Sequence, residues 1–389
     1  MTANILFALY YDFTANSAIH VHNFANQLAA FGHSVAVAAP KNKETAANLG
    51  EQQYAVAEFR EIDGAWEKLF PNGKPPDLVH AWTPREVVRL FCAKLAGLCR
   101  YTLVIHLEDN EERILEANLG VPFATLLKTR GIKVPEELSH PAEHRRFLAS
   151  AAGVTIIMDR LGEFVPESTP RMVLWPGADR TQFQPAPRDT DYMAVLGVPP
   201  NHVVICYTGN VHSTNKREVR SLYVAVAMLN REGVPTTLVR AGEDHCPFLG
   251  PDERWAHQHS IELGYIRHTD MPRVLNLAHY LVQPGAADEF NDYRLPAKLP
   301  EFFALGRPVV LPRTNVGRFV INGEEAIVLD KVDALAICAT VKQLNSDDAL
   351  VRRLSGGALQ FGKEHFDWQK NSATLAEFYE RLVHAHGSY

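Results

Sequence analysis

One stretch of the chain brings basic and acidic side chains to the start of a predicted helix. The stretch follows an apolar run, Tyr280–Gln283, and enters a helix predicted over Pro296–Leu305. A helix leaves its first-turn N–H groups unpaired, so a phosphate can lie there beside the cations of Arg294 and Lys298. Glu301, further along the same helix, can accept hydrogen bonds from the two hydroxyls of a ribose. A plain solvated helix carboxylate is the alternative.

The motifs of several other enzyme classes are absent. No G-x-G-x-x-G follows the first apolar run, where Tyr10–Asn16 stands instead, and this disfavours a dinucleotide oxidoreductase. The chain has no Walker A loop, no H-E-x-x-H and no G-x-S-x-G, so the sequence does not indicate hydrolase or metalloenzyme chemistry. The histidines and carboxylates show no metal-ligand spacing. We therefore expect neither a metal site nor a bound cofactor.

Composition and charge indicate a globular protein of two domains. The chain has 389 residues, of which 46% are hydrophobic and 22% charged, and a domain typically has about 100–200 residues. The 39 basic side chains are outnumbered by 45 acidic ones, and the net charge of −6 gives no general attraction for nucleic acid. The five cysteines are scattered and include no C-x-x-C, which is typical of a reduced cytosolic protein.

The sequence predicts neither a targeting segment nor a membrane span. Met1–Tyr11 has no basic region and no small-residue cleavage site, and its apolar run is too short to cross a bilayer. We therefore expect a cytoplasmic protein. Weak peripheral contact with a membrane stays open as an alternative.

Predicted strands and helices alternate along both halves of the chain, which is the pattern of an α/β fold with parallel sheets. The first half has one predicted helix between its first two strands, and its elements are Ile5–Tyr10, helix Ile19–Phe31, Val35–Ala39, Leu78–Ala81, Leu103–His106 and Val154–Met158. The second half repeats the alternation with Val203–Tyr207, helix Val219–Asn230, Thr237–Arg240, Ile261–Leu263, helix Met271–Ala278, Tyr280–Gln283, helix Pro296–Leu305 and Val309–Leu311.

Two prolines, Pro185 and Pro187, separate the two alternating halves, because proline continues neither a helix nor a central strand. We predict two Rossmann-like domains, residues 1–185 and 186–365, followed by a helical segment, residues 366–389. Two such domains facing each other would hold ligands in a cleft, at the carboxyl ends of their strands.

The stretch Asp288–Val310 resembles the donor-binding motif of the retaining, GT-B-fold glycosyltransferases of family four, the glycosyl transferases group 1. In that family, the second Glu of an E-x7-E pattern precedes a glycine by five residues, as Glu301 precedes Gly306 here. The place of the first Glu is taken by Tyr293. The candidates to substitute for that missing carboxylate are Asp288, Glu289 and Asp292.

The resemblance implies the residues that hold a nucleotide-sugar donor. The stretch Tyr207–Arg217 matches the segment in which the family has an arginine, here Asn210, and a lysine that holds the diphosphate, here Lys216. Arg217 is the second choice for that contact, and a merely basic helix start is the alternative for both. The remaining donor contacts implied by the resemblance are Gly209, Gly242, Tyr265, Ile266, Glu289, Tyr293, Ala297 and Lys298.

The first half resembles the family in the strand end Val104–Asp109, which implies a catalytic His106 whose neutral imidazole hydrogen-bonds a sugar hydroxyl. A purely structural histidine is the alternative. Lys216, Arg294 and Glu301 complete the implied catalytic set. The implied acceptor contacts are Asn16, Trp82, Glu108 and Asp109. Trp82 either stacks on an acceptor ring or fills the core, and the core is the commoner place for such a side chain.

The resemblance thus implies a metal-independent, retaining transferase that moves a hexosyl group from a nucleoside-diphosphate sugar to an acceptor hydroxyl. The acceptor would bind to domain 1–185, the donor to domain 186–365, and the segment 366–389 would pack back on the first domain. No cofactor beyond the donor is implied, and the protein would be a monomer or homodimer that binds no nucleic acid. Two rivals stay open: a GT-B epimerase or hydrolase, and a non-catalytic two-domain protein that binds a nucleotide or sugar.

Overall fold

The computed structural model describes residues 2–129 and 131–386. The chain divides into two compact units, one of Met1–Pro176 with Trp368–Tyr389 and one of Gly177–Asp367. Sequence analysis placed these two crossings after residues 185 and 365, whereas the contacts place them after Pro176 and Asp367. Residues 387–389 of the expected C-terminal segment lie outside the described residues.

The first unit is built on a parallel sheet of seven strands in the order β3-β2-β1-β4-β5-β6-β7. These strands are β1 (Asn4–Ala8), β2 (Ser34–Ala39), β3 (Ala55–Glu58), β4 (Leu78–Trp82), β5 (Thr102–Leu107), β6 (Gly153–Ile156) and β7 (Arg171–Val173). The helices are α1 (Asn16–Ala30), α2 (Glu86–Ala96), α3 (Glu111–Leu119), α4 (Phe123–Lys128) and α5 (Glu143–Ala149). Short 3-10 turns cover Lys43–Leu49, Phe59–Glu61, Trp66–Lys68 and Asp159–Phe164.

The second unit has a parallel sheet of six strands in the order β10-β9-β8-β11-β13-β14, and a small antiparallel pair, β12 with β15. The strands are β8 (Val203–Thr208), β9 (Thr236–Ala241), β10 (Ser260–Glu262), β11 (Tyr280–Val282), β12 (Gly285–Ala286), β13 (Val309–Pro312), β14 (Ile327–Leu329) and β15 (Lys331–Val332). The helices are α6 (Thr190–Val195), α7 (Lys216–Arg231), α8 (Met271–Leu275), α9 (Leu299–Ala304), α10 (Ala334–Asn345) and α11 (Asp348–His365). The 3-10 turns are Pro251–His259, His268–Asp270, Asn291–Tyr293 and Asn315–Arg318.

The last helix, α12 (Trp368–His386), belongs to the first unit. Its apolar face, which includes Phe378 and Leu382, joins the buried core of that unit. Gly153 at the start of β6 makes this packing possible, because a Cβ there would lie 2.5 Å from Leu382 Cδ1. Among the described residues, no helix is both long and apolar enough to cross a membrane.

The proline-containing segment that sequence analysis treated as a linker is bonded to the second unit. The amide of Ala186 donates to Asn276 Oδ1 at 3.1 Å, and its carbonyl accepts from Arg307 Nη2 at 2.6 Å. A few residues further, Asp189 pairs with Arg273 at 2.8 Å. These bonds explain why the unit begins before the prolines rather than after them.

The helix predicted over Pro296–Leu305 is shorter in the structure, where α9 has six residues and starts at Leu299. Pro300 accounts for the difference. In the longer helix it would sit in the interior without an N–H to donate, whereas in α9 it lies in the first turn, where that N–H has no partner in any case. Lys298 therefore occupies the N-cap position, and Glu301 lies in the first turn instead of further along.

Candidate functional site

Two loops at the carboxyl ends of β8 and β9 lie back to back. Gly209 and Gly242 have φ angles of 143° and 133°, which favour glycine. A Cβ on Gly242 would lie 2.2 Å from the carbonyl oxygen of Gly209, so the loops meet through bare backbone. The amide of Gly242 donates to the carbonyl of Gly264 at 2.7 Å and brings the loop after β10 to the same edge. In parallel sheets this edge is where ligands bind.

Lys298 brings a positive charge to this glycine edge. Its Nζ lies 3.3 Å from Tyr207 Oη and 3.4 Å from Gln283 Oε1, and 4.4 Å from the centre of the Tyr207 ring. A Cβ on Gly209 would come within 3.1 Å of the same nitrogen. In the described part of the chain, no carboxylate forms an ion pair with Lys298. The half-buried cation is therefore available to an anionic ligand.

Glu301 is held by a histidine from the loop after β10. Its Oε1 lies 2.8 Å from His268 Nε2, and Oε2 has no hydrogen-bond partner within residues 2–129 and 131–386. The hydrogen bond that His268 donates to Glu301 raises the pKa of His268 above its ordinary value, against the opposing effect of burial. The Glu301 side chain is 18% exposed. One carboxylate oxygen is thus fixed and the other remains open to a donor group such as a ribose hydroxyl.

Arg294 is engaged by neighbouring side chains. Its Nη2 donates to Asn291 Oδ1 at 2.8 Å, and its guanidinium lies 4.1 Å from the centre of the Phe290 ring. Glu218 Oε2 is 3.8 Å away and also accepts, through Oε1, a 2.7 Å bond from Asn291. Burial raises the pKa of Glu218, although Asn291 and the charge of Arg294 oppose the rise. The structure thus gives Arg294 a role in ordering the loop before α9.

The two basic residues expected at the diphosphate, Lys216 and Arg217, are exposed at the start of α7. Between them and β8 the loop is ordered by Asn210, whose Oδ1 accepts the amide of Glu243 at 2.9 Å. Asn215 Nδ2 donates to the carbonyl of Asn210 at 3.0 Å. Asn210, which stands where the family has an arginine, therefore fastens the β8 loop to the β9 loop.

Two of the three candidates for the missing first carboxylate are engaged within the fold. Asp288 Oδ1 accepts the amides of Phe290 and Asn291, at 2.9 and 2.6 Å. Asp292 accepts a hydrogen bond from the Thr314 hydroxyl. Glu289 is exposed on the same loop, and so is Ala297 further on. Asp288 is exposed as well, so exposure does not single out one of the three candidates.

The loop after β10, which holds the expected donor contacts Tyr265 and Ile266, presents one aromatic ring to solvent. Tyr265 is 74% exposed, while the next residue, Ile266, and Tyr293 on the α9 side are half-buried. An exposed aromatic ring next to a backbone turn at Gly264 can stack on a planar base.

In the first unit, His106 is completely enclosed at the end of β5. It is 1% exposed, and its Nδ1 lies 2.8 Å from Thr155 Oγ1. Its Nε2 is buried without a hydrogen-bond partner among the described residues. Burial lowers the pKa of His106 to about 3, despite the opposing charge of Glu108. The imidazole is therefore neutral at physiological pH.

Glu108 is the centre of a polar cluster beside this histidine. Its Oε1 accepts from Trp82 Nε1 at 2.7 Å and lies 3.2 Å from His20 Nδ1, while Oε2 accepts from the Ser17 hydroxyl. Burial alone would raise the pKa of Glu108, but the bonds from His20 and Ser17 and the charge of His106 lower it to about 2. Glu108 is therefore a fixed, ionised carboxylate.

Trp82 does not form an acceptor platform, which corrects one of the two sequence interpretations. The side chain is completely buried, and its indole stacks on His106 with ring centres 4.0 Å apart. The parallel pairing of β4 with β5 places these two residues side by side and accounts for the stacking. Of the other acceptor candidates, Asn16 is exposed at the start of α1 and Asp109 is half-buried after β5.

Sequence analysis missed several residues that shape these two sites: Ser17, His20, Thr155, Tyr207, Glu218, His268 and Gln283. Each owes its place to a partner distant in the chain, and no local motif marks it. Alternation along β4 and β5 does put His80, Trp82 and His106 on one sheet face, which is a signal that strand register could have supplied. Within the described ranges, no group of three or more His, Cys, Asp or Glu side chains is arranged to hold a metal ion.

Comparison with known proteins agrees with this architecture. Residues 202–347 match the family model described as glycosyl transferases group 1. A glycogen synthase of Mycobacterium tuberculosis (strain CDC 1551 / Oshkosh) is 27% identical over 174 residues, which cover 42% of this chain and 39% of that relative. The chain therefore matches about two fifths of that relative's length.

Solved structures resemble the chain over nearly its whole length. Sucrose-phosphate synthase from Thermosynechococcus elongatus superposes with a TM-score of 0.71 at 16% identity, covering 99% of this chain and 100% of that one. Anabaena Alr3699/HepE in complex with UDP-glucose gives a TM-score of 0.71 at 14% identity, covering 97% of this chain and 100% of the other. The two-sheet GT-B fold expected from the sequence is confirmed, and so is the resemblance to glycosyl transferases group 1, over residues 202–347.

Proposed function

We propose that this chain, whose second unit carries a glycosyl transferases group 1 domain, transfers a hexosyl group from a nucleoside-diphosphate sugar to an acceptor hydroxyl. One observation carries the proposal. Lys298 sets a cation beside the bare backbone of Gly209, and Glu301, three residues along the chain, keeps a carboxylate oxygen open. A cation for phosphate and a carboxylate for ribose hydroxyls are the two contacts that a nucleoside diphosphate needs.

The diphosphate is the leaving group, so the negative charge that develops on it must be stabilised in the transition state. Lys298, nearest the glycine edge, would contact it first, with Lys216 and Arg217 reaching from the start of α7. Arg294, already bonded to Asn291, would act through the loop that it orders or through its remaining N–H groups. These cations supply the charge without a metal ion.

The stereochemistry we propose is retention. The bond between the sugar C1 and the phosphate oxygen breaks, the bond between C1 and the acceptor oxygen forms on the same face, and the acceptor proton passes to the leaving phosphate oxygen. No protein side chain then has to serve as the base. Glu108 is ionised and already hydrogen-bonded to Trp82, His20 and Ser17. In this scheme it holds these three side chains in place and does not act as the base.

The first unit would bind the acceptor through Asn16 and Asp109, at the carboxyl end of its sheet. The complexes of Alr3699/HepE with UDP-glucose support a uridine nucleotide as the first donor to test. We propose a cytoplasmic monomer or homodimer that needs no cofactor besides the donor, with weak peripheral membrane contact where the acceptor is lipid-linked.

Tyr293 replaces the first glutamate of the donor motif, so the alternative functions are those of an epimerase, a hydrolase or a non-catalytic binding protein. The experiment is to incubate the purified chain with nucleoside-diphosphate sugars and a set of glycan, lipid and small hydroxyl acceptors. Mass spectrometry should find an acceptor heavier by one hexosyl residue, together with released nucleoside diphosphate. Free sugar without a product would indicate a hydrolase, an isomerised donor an epimerase, and donor binding without turnover a non-catalytic protein.

A further inference from the structure

A buried row of polar side chains runs from the C-terminal helix to His106. The Tyr379 hydroxyl on α12 lies 2.6 Å from His80 Nδ1, and His80 Nε2 lies 2.9 Å from Thr155 Oγ1. The same Thr155 oxygen lies 2.8 Å from His106 Nδ1. His80, Thr155 and His106 are each at most 1% exposed and Tyr379 is 3% exposed, so water does not complete their hydrogen bonding.

Strand register explains why these residues meet. His80 on β4 is two residues from Trp82, which pairs with His106 on β5, and His106 pairs with Thr155 on β6. Side chains of paired residues, and of residues two apart, share one face of a sheet. Helix α12 packs on this face, where Gly153 leaves room for it, and brings the Tyr379 hydroxyl to the end of the row.

The number of hydrogens in the row fixes the direction of its hydrogen bonds. A neutral imidazole carries one N–H, and each hydroxyl carries one hydrogen. His80 is neutral because burial holds its pKa well below the ordinary value. Within the described residues, His80 Nδ1 is the one acceptor in reach of the Tyr379 hydroxyl, so Tyr379 donates there.

The remaining positions follow in turn. With Nδ1 accepting, His80 carries its hydrogen on Nε2 and donates to Thr155 Oγ1. Thr155 then has His106 Nδ1 as the acceptor for its own hydrogen. If all three hydrogen bonds ran the other way, the hydroxyl hydrogen of Tyr379 would be buried without an acceptor. If both histidines donated to Thr155 Oγ1, the hydroxyl hydrogen of Thr155 would be buried without an acceptor.

We infer that Tyr379, His80 and Thr155 are positioning residues that hold His106 as the tautomer with its hydrogen on Nε2. Among residues 2–129 and 131–386 this Nε2 has no hydrogen-bond partner, and in this tautomer it is an N–H donor that an oxygen of a bound ligand would satisfy. Trp82, stacked on the imidazole at 4.0 Å, keeps the ring plane fixed. The inference rests on the proposed function in one respect, since that function makes the ligand a substrate of the transfer.

The test is nitrogen-15 NMR of histidine-labelled, full-length protein, with the His106 signals assigned from the spectrum of His106→Gln. In the wild type, His106 should show a protonated Nε2 and an unprotonated Nδ1. Tyr379→Phe removes the group that sets the direction, so the His106 signals should move toward a mixture of tautomers. A protonated Nδ1 in the wild type, or an unchanged His106 pattern in Tyr379→Phe, overturns the inference.

The chain supplies a matched control. Tyr54 also bonds a buried histidine in the first unit, His22 Nδ1 at 2.9 Å, but it is not part of the row. Tyr54→Phe should therefore leave the His106 signals in place. Should Tyr379→Phe fail to fold, Thr155→Ser, which keeps the hydroxyl, should preserve the tautomer, and Thr155→Val should lose it. Identical His106 signals in Thr155→Ser and Thr155→Val would contradict the inference that Thr155 sets the tautomer of His106.

Steady-state kinetics give a second test of the positioning role. Tyr379→Phe should lower kcat about tenfold, the equivalent of one neutral hydrogen bond, with little change in the KM for donor. Tyr54→Phe should not change kcat. An equal effect of both variants would indicate a general loss of stability and contradict the positioning role. If no transfer is found at all, the proposed function fails, while the NMR spectra still decide on the tautomer.

Discussion

Glu301 and His268 are joined by a hydrogen bond of 2.8 Å between Oε1 and Nε2, which connects the first turn of α9 to the loop after β10. The family resemblance implies donor contacts on both elements, Glu301 on the first and Tyr265 and Ile266 on the second. The pair therefore couples two parts of one proposed nucleoside site. It also leaves Glu301 Oε2 as the oxygen that a ligand can reach.

This pair should make the effect of His268→Gln depend on pH. The pKa of His268 is raised in the folded protein, chiefly by the hydrogen bond that it donates to Glu301. The pair therefore stabilises the fold below the ordinary pKa of about 6.5 and loses this effect as the pH rises through the raised value. The imidazole is 59% exposed, so the contribution should stay below about 1 kcal/mol. Thermal unfolding across pH 5–9 should show the largest difference in Tm between wild type and variant at low pH. A difference that grows at high pH contradicts this.

Gly242→Ala should destabilise the protein more than Gly264→Ala. Both residues have positive φ, 133° and 61°, so both substitutions strain the backbone. A Cβ on Gly242 also meets the Gly209 carbonyl at 2.2 Å, whereas nothing lies within 4 Å of a Cβ on Gly264. The clash should add roughly 1–3 kcal/mol, the usual cost of overpacking. Equal Tm values for the two variants would show that the two loops separate easily.

Acid should destabilise the first unit because His106 is buried there as a neutral imidazole. The pKa of His106 falls to about 3 on folding, so the unfolded chain binds a proton that the folded chain refuses, and stability falls as the pH drops from about 6.5 toward 3. His106→Gln should therefore show a shallower decline of Tm over that range than the wild type. His384→Gln, at an exposed position on α12, serves as the control and should follow the wild type. Parallel curves for all three proteins would contradict the burial of a neutral His106.

Protonation of the Glu108 carboxylate should cause a second loss of folding stability, at a lower pH than the loss caused by His106. Its pKa of about 2 lies below the ordinary value, so its contribution is complete above about pH 4.5 and is lost as the pH falls toward 2. The same Tm series, extended to pH 2 and compared with Glu108→Gln, measures it. The variant should differ from the wild type most at neutral pH and least at pH 2. A difference that does not shrink there would mean that Glu108 is not held as an ionised carboxylate.

Added chelator should leave transfer activity unchanged. Under the proposed function, side-chain cations, Lys298 above all, would stabilise the leaving diphosphate, and no divalent ion would be needed. Initial rates would be compared in the presence of a chelator and of added magnesium or manganese ions. Loss of turnover with chelator, restored by the divalent ion, would mean that a metal bound with the donor carries the charge instead.

The parallel sheets could be predicted from the sequence because their central strands are buried apolar runs. All five residues of β1 are buried, and such runs mark buried parallel strands directly. Edge strands leave a weaker signal. In β7 the three residues alternate between exposed and half-buried, and this strand was missed. The start of α9 was misplaced because the position of Pro300 within a helix depends on where the chain turns before it.

The candidate site could be predicted only where a residue type and its spacing are unusual. Glu301 and Lys298 stood out because they adjoin a predicted helix start. His268, Tyr207 and Thr155 did not, because their roles come from contacts across the sheet or between loops. The burial of Trp82 followed from strand pairing, which the sequence of a single strand does not contain.

The central claim is that the second unit holds a nucleoside diphosphate through Glu301 and Lys298, and calorimetric titration with a panel of nucleoside-diphosphate sugars tests it most directly. One donor should bind the wild type, and Glu301→Gln should weaken that binding about tenfold to a hundredfold, the value of a charge-assisted hydrogen bond, without a matching loss of Tm. Glu324→Gln, at an exposed site in the same unit, should bind like the wild type. If Glu301→Gln binds the donor as tightly as the wild type does, Glu301 is not in the donor site and the account of the second unit is wrong.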